Sequence, residues 1–230
     1  GLDGCSQFVL LGISGIDANA KVPDWMATRL KLAGMRSISI VVDITNYVML
    51  ELGQPLHAYD QGKLVGGISV RRANSGEEIQ TLDEKTRKLD AEDLLISDEQ
   101  GPVGIAGVMG GARTEVGPQT TAVLIEAAIF DPISIARSAR RHKLPSEASK
   151  RFERGVDSEI SGAAASRAAE LLIELAGGSL DGLGAQYLTE KLPVSIEMKL
   201  NYPTELVGVH YPPEQVVSTL EQIGCKVSVI

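Results

Sequence analysis

The 230-residue sequence predicts a soluble globular domain of α/β or α+β class. Three observations carry this. Short apolar or alternating runs, bounded by turn residues, crowd positions 67–130 and read as β-strands. Segments with helical spacing, opened by Pro, Asp or Ser and closed by Gly, flank them. A content of 43% hydrophobic and 23% charged residues suits a chain that buries a core, not a disordered one. This length allows one large domain, or one and a fragment of another.

In order, residues 8–13 form an apolar β-like run. Pro23 opens a helix through Trp25 to Leu32, with Met26, Arg29 and Leu30 near the face of Trp25 and Gly34 as the stop. The central stretch is VVDITNYVMLELGQPLHAYD, 41–60, read as a short helix and a polar elbow. Asp43 stands at the expected N-cap, ahead of Ile44, Tyr47, Val48 and Leu52 on one face. Gly53 ends the helix and Pro55 stops it resuming. Thr45 and Asn46 then fall in the first turn and His57 just beyond the last. Such a trio suits a capped helix with a packed loop histidine, or a site.

Short strands are expected at 68–72, 78–82, 86–89 and 94–97, with Asp83-Glu84-Lys85 as a hairpin turn. The run GPVGIAGVMGGARTEV, 101–116, places five Gly before Ala112. So many Gly in a β context imply tight turns and close backbone approach, or a kinked strand in a crowded core. An anion cradle is poorly supported, since there is no GxxxxGK[ST] and no nearby Lys. TAVLIEAAIF, 121–130, is the most apolar strand, with Glu126 at its middle, on the face of Leu124 and Ala128. A buried ionised carboxylate is costly. Glu126 therefore either faces solvent or is placed in a pocket.

Asp131-Pro132 caps a helix to about residue 142. Its tail and the following loop carry Arg137, Arg140, Arg141, Lys143, Lys150, Arg151 and Arg154 against only Glu147 and Glu153. This stretch is either a phosphate contact or a solvated face. Residues 158–176 form a long amphipathic helix with Ile160, Ala164, Ala168, Leu171, Leu172 and Leu175 in its stripe, ended by Gly177-Gly178. A last strand is expected at 183–188. After Lys191-Leu192-Pro193 the pattern restarts: a strand at 195–200, a short helix at 203–207, then a Pro-started helix to Ile223. Val216, Val217, Leu220 and Ile223 point inward there, Gly224 is the stop, and a strand is expected at 226–230. This reads as the start of a second small α+β domain.

A net charge of −8 argues against nucleic-acid binding over the whole surface and leaves room for a local basic patch. No run approaches the roughly 20 apolar residues of a membrane span. The N-terminus lacks the pattern of a signal peptide. Cys5 and Cys225 make no disulfide framework, so a reducing cytoplasm is expected. Three His and two Cys give no zinc spacing, and no Rossmann or Walker motif is present. Lacking an initial Met and stopping in an expected strand, the chain reads as an excised piece of something longer.

The segments VVDITNYVMLELGQPLHAYD, GIAGVMGG, VLIEAAIFDP, ARSARRHKLPSEASKRFERGVD and ELAGG, in this order, resemble the B3/B4 region of the bacterial phenylalanyl-tRNA synthetase β subunit. The likeness covers roughly residues 3–188, and 193 onward resembles the start of the adjoining B5 domain. It implies an α+β fold with a mixed β-sheet core and flanking helices, a B3/B4-like editing domain over 1–190, and a truncated B5-like part over 191–230. That family's module hydrolyses tyrosine wrongly attached to tRNA(Phe). By position, Thr45, Asn46 and His57 match the end of the pocket that holds the ester and its water. Ala106, Gly107 and Ala148 match small pocket residues, and Glu126 matches the carboxylate that meets the tyrosine hydroxyl. Arg137, Arg140, Arg141, Lys150 and Arg151 are the candidates for tRNA binding. No cofactor or metal is expected in this fragment. ATP and Mg2+ belong to the whole enzyme, whose α subunit carries synthesis and joins β in a heterotetramer of two copies each.

The chemistry suits these residues. An apolar synthetic pocket cannot strongly reject an added hydroxyl. A second site that hydrogen-bonds the hydroxyl reverses the logic. With phenylalanine bound, Glu126 is left unpaired at about 1–3 kcal/mol, or about 10- to 200-fold in selectivity. Ester hydrolysis needs a positioned water and oxyanion stabilisation. Two accounts stand: His57 as general base, or assistance by the terminal ribose hydroxyl. A rival reading, a non-catalytic tRNA-binding or bracing module, predicts an exposed or ion-paired Glu126 and no tyrosine-sized pocket between Asn46 and Gly107. A free-standing deacylase is the other rival.

Overall fold

A computed structural model of the chain describes residues 4–189 and 194–229. The chain divides into two units, Gly1–Thr189 and Glu190–Ile230. The first contains β1 (Cys5–Ser14), α1 (Asp24–Leu32), α2 (Ile40–Leu52), β2 (Leu56–Asp60), β3 (Ser69–Arg72), β4 (Glu78–Gln80), β5 (Thr86–Lys88) and β6 (Leu94–Asp98). It continues with β7 (Gly101–Ile105), β8 (Met109–Gly110), β9 (Ala122–Phe130), α3 (Pro132–Arg141), α4 (Glu147–Arg154), α5 (Ser161–Ala176) and β10 (Ser179–Leu188). The first sheet has the order β10-β1-β9-β2, the second β3-β6-β7-β8, and β4-β5 is a separate hairpin. The class is α+β, and every pairing among the described strands is antiparallel.

β9 holds the first sheet together because it is apolar on both faces and pairs on both edges. Alternation sends Val123 and Ile125 to a core shared with Ile44 and Val48 of α2 and Ala168 and Leu172 of α5. It sends Leu124, Ala128 and Phe130 to a core shared with Phe8, Tyr59, Ile96, Ile105 and Phe152. The sheet thus has helices on one face, and the second sheet with α3 and α4 on the other. The Ala-rich side of α5 (Ala164, Ala165, Ala168) is fully buried, which lets its backbone approach the sheet. Asp131 caps α3 by accepting from Ser134 N–H at 2.7 Å, with Pro132 in the first turn as expected.

Several local expectations need correction. α2 begins at Ile40, with Ser39 as N-cap accepting from Val42 N–H. Asp43 is not the cap. It is fully buried and accepts from Ile38 N–H at 2.8 Å and from the Ser37 hydroxyl, tying down the chain that enters the helix. Burial of Ile40 and Val41 extends the helix past the point where propensity would start it. Thr45 and Asn46 therefore sit in the second turn. The elbow after Gly53 is strand β2, because β9 offers it a ladder, so His57 is a strand residue. β10 starts at Ser179, earlier than expected, and α5 at Ser161, later.

The second unit contains α6 (Tyr202–Val207) and α7 (Pro213–Gln222). The strand expected at 195–200 is not formed, nor is the one at 226–230 among its described residues. Strands exist only where a partner completes the ladder, and these two segments do not pair. Val216 is buried, whereas Ile223, expected inward, is exposed. The Lys191-Leu192-Pro193 junction lies outside the described residues.

Candidate functional site

Glu126 lies at the centre of β9, on the face that meets the second sheet. The β2–β9 register sets His57 directly opposite it. Tyr59, two residues along β2 on the same face, is its diagonal neighbour. The Tyr59 hydroxyl donates to Glu126 Oε2, while Oε1 has no hydrogen bond among the described residues. Glu126 is only 6% exposed and Tyr59 1%. Burial pushes the Glu126 carboxyl from 4.5 up to about 7, against the lowering effect of the Tyr59 hydrogen bond. Tyr59 itself is raised by burial and by the Glu126 charge.

The His57 ring stands edge-on to Tyr59, with centroids 4.5 Å apart. Its Nε2 is buried without a hydrogen-bond partner. Burial lowers its pKa from 6.5 to about 4, so the imidazole is neutral at neutral pH. Gly110 forms its other wall: a Cβ there would lie 2.5 Å from His57 Cε1. At Gly107, which has φ +66, a Cβ would meet Phe152, Phe130 and Ile135 at 2.9–3.2 Å. The close backbone approaches expected of the glycine-rich run are thus made, and to this chain's own side chains.

Ala106 is buried in the core that holds Phe130 and Phe152, and Ala148, partly buried, packs against the same core. Thr45 is buried and its hydroxyl donates to Val42 O at 2.8 Å. Half-buried Asn46 makes no side-chain hydrogen bond among the described residues. The structure therefore unites Glu126 and His57, and gathers Ala106, Gly107 and Ala148. No hydrogen bond joins Thr45 or Asn46 to either group. A cavity of about 400 Å3 is lined by Cys5, Ser6, Phe130, Asp131 and Gly155, among others. A second, of about 260 Å3, is lined by Arg72, Glu92, Ser134 and Arg137 with Ala91. Neither is lined by Glu126 or His57. Among the described residues no group of His, Cys, Asp and Glu could hold a metal, and no helix is long and apolar enough to cross a membrane.

The basic stretch is more neutralised than the sequence implies. Beyond Glu147 and Glu153, the segment before β6 supplies Asp90, Glu92 and Asp93. Arg141 reaches Asp93 at 2.5 Å and Glu92 at 2.6 Å, and His142 and Ser138 reach Asp93 at 2.6 and 2.7 Å. Burial raises the Asp93 carboxyl, but hydrogen bonds from His142, Asp90 N–H and Ser138 outweigh it and hold it well below the usual range. Lys150 and Arg151 share Glu147 at 2.7 and 2.9 Å. Arg137 and Arg140 are held more loosely, 3.8 Å from Glu92 and 3.7 Å from Glu153.

Three residues that matter here went unread in the sequence. Tyr59 carries no signal beyond the alternation that gives it the face of His57. Asp93 is one acid in an acidic turn. Gln54, fully buried, donates to Pro55 O and Ala128 O at 2.9 Å and accepts from Ser161 at 3.2 Å, fixing the entry to β2. A polar residue wedged between Gly53 and Pro55 was its only cue.

The family described as B3/4 domain matches residues 4–177. The phenylalanine–tRNA ligase beta subunit of Streptomyces avermitilis is 56% identical over 227 residues, 97% of this chain and 27% of that protein. The protein of the same name from Leifsonia xyli subsp. xyli is 57% identical over 225 residues, 98% of this chain and again 27% of the relative. The chain thus spans about a quarter of the length of these relatives. A crystal structure of an N-terminal fragment of the phenylalanyl-tRNA synthetase beta-subunit from Pyrococcus horikoshii is similar in fold, with TM-score 0.51 and 14% identity over all of this chain and 63% of that one. With three quarters of its residues inside the match, the chain belongs to the B3/4 domain family.

Proposed function

We propose that this chain is the editing module of a phenylalanine–tRNA ligase β subunit, and that it hydrolyses the ester of tyrosyl-tRNA(Phe). The observation that carries the reading is Glu126: a buried carboxylate beside a neutral imidazole, with no hydrogen bond to Oε1 among the described residues. A phenol reaching Oε1 gains a charge-assisted hydrogen bond that phenylalanine cannot make. The same carboxylate opposite a phenyl ring stays desolvated and unpaired. His57, with Asn46 and Thr45, holds the ester and its water. Ala106, Gly107 and Ala148 keep the ring's surroundings small. Arg137 and Arg140, the loosely held cations, meet tRNA phosphates, with Arg141, Lys150 and Arg151 behind them. The whole enzyme, with its α subunit, ATP and Mg2+, performs synthesis in the cytoplasm.

A second reading, a non-catalytic tRNA-binding or bracing module, draws on the position of the two cavities. Against it, Glu126 is not exposed and has no ion pair among the described residues. Deacylation of tyrosyl-tRNA(Phe) by the assembled enzyme, wild type against Glu126→Ala, separates the two, with phenylalanyl-tRNA(Phe) as control. Editing requires that the wild type clear the tyrosyl ester and that the variant lose the preference. Equal clearance by both would make Glu126 structural and favour the brace.

A further inference from the structure

The Tyr59 hydroxyl is the one hydrogen-bond donor the fold gives to Glu126 among the described residues. Both side chains are buried, and both stand on rigid strands in adjacent register. A carboxylate held by one oxygen has a fixed plane, so its second oxygen points in a fixed direction. We infer that Tyr59 is a positioning residue for substrate choice: by holding Glu126 Oε2, its own phenol leaves Oε1 alone to meet the phenol of an incoming tyrosyl ester. This rests on the editing reading above and adds to it a residue that sets the geometry and charge of the tyrosine sensor.

The surroundings leave this task to Tyr59. The titratable groups near Glu126 are Cys5 on β1 and His57 and Tyr59 on β2. Burial pushes Cys5 to about 12, so it stays a neutral thiol. His57 is neutral at the same pH, and its Nε2 has no partner. From the second sheet, Leu95, Ile96 and Ile105 enter the same core, and none of them titrates. Among the described residues no cation offsets the carboxylate charge, and the Tyr59 hydrogen bond is what favours the ionised form. Without it the carboxyl holds its proton to higher pH, and a neutral acid makes the weaker hydrogen bond to a phenol.

The test is Tyr59→Phe, which removes one oxygen and keeps the ring against His57. Deacylation of tyrosyl- and phenylalanyl-tRNA(Phe) is measured on the assembled enzyme from pH 6 to 8.5, with Glu126→Ala in parallel and enzyme-free blanks. In the wild type, the preference for the tyrosyl ester should fall as pH drops through about 7. In Tyr59→Phe it should be about tenfold lower at pH 7.5 and recover toward pH 8.5. A folding defect would not recover with pH. Carboxyl 13C titration of the 230-residue chain should show Glu126 moving upward in the variant. An unmoved carboxyl, or a Tyr59→Phe enzyme with the wild-type profile while Glu126→Ala loses its preference, overturns the role of Tyr59 and leaves editing standing. A Glu126→Ala enzyme with full preference overturns the editing reading itself.

Discussion

Replacing Glu126 with Gln should stabilise the protein at pH 8 and scarcely alter it at pH 4.5. The side chain keeps its size, and its amide oxygen can still accept from Tyr59. What disappears is the charge. Burial moves the carboxyl from 4.5 to about 7. A carboxyl whose folded value lies above its unfolded one favours folding fully below the unfolded value, and that contribution is lost as pH rises through the folded value. For Glu126 the window is pH 4.5 to about 7, and the loss across it is about 3 kcal/mol. The variant escapes that loss. Urea unfolding of wild type and Glu126→Gln at both pH values measures the gain, expected at about 2–3 kcal/mol at pH 8. In melting temperature this is about 4–12 °C for a unit of this size. Asp93 and His57 also titrate on acidification, but they are common to both proteins and cancel in the difference. An equal gain at both pH values would refute the reasoning, because the benefit would then come from packing and not from charge. Stabilisation with loss of tyrosyl-ester preference would mark Glu126 as a residue kept for function at a cost in stability.

Three further outcomes follow from the structure. His57→Ala should lower tyrosyl-tRNA(Phe) deacylation by about 100-fold or more, the usual contribution of a positioned base; retention of most of the rate would leave the terminal ribose hydroxyl as the base. Among the cations, Arg141→Ala should cost about 1–3 kcal/mol in urea unfolding, because it takes one charged partner from the fully buried Asp93 and leaves it only His142, Ser138 and Asp90 N–H. Arg140→Ala, 74% exposed and 3.7 Å from Glu153, should change stability by less than about 0.5 kcal/mol and reduce the salt slope of tRNA binding by about 1. A stable Arg141→Ala protein, or an Arg140→Ala enzyme with an unchanged slope, would overturn these assignments.

Where the physics is local, the sequence was legible. The Asp131-Pro132 start of α3, the Gly53 stop of α2 and the turn at Asp83 each depend on a few adjacent residues, and each stands where expected. The alternation in TAVLIEAAIF put Glu126 on the face of Leu124 and Ala128, where it is found. The start of α2 was misread because Ser39 and Asp43 are both good caps, and burial of Ile40 and Val41 chose between them.

The candidate site was legible only as a set of residues. His57 faces Glu126 because β2 pairs with β9, a contact between positions far apart in sequence. The basic run looked free because Asp90, Glu92 and Asp93 reach it from a segment about 50 residues away. Sequence by itself determined most elements of the first unit, the Asp131 cap of α3 and which residues share a face of β9, since these follow from backbone preference and period. Tertiary structure alone decided that Glu126 is buried, that Tyr59 holds it and that His57 is kept neutral. Desolvation and hydrogen bonding depend on what the fold packs against a group, and no local pattern encodes that.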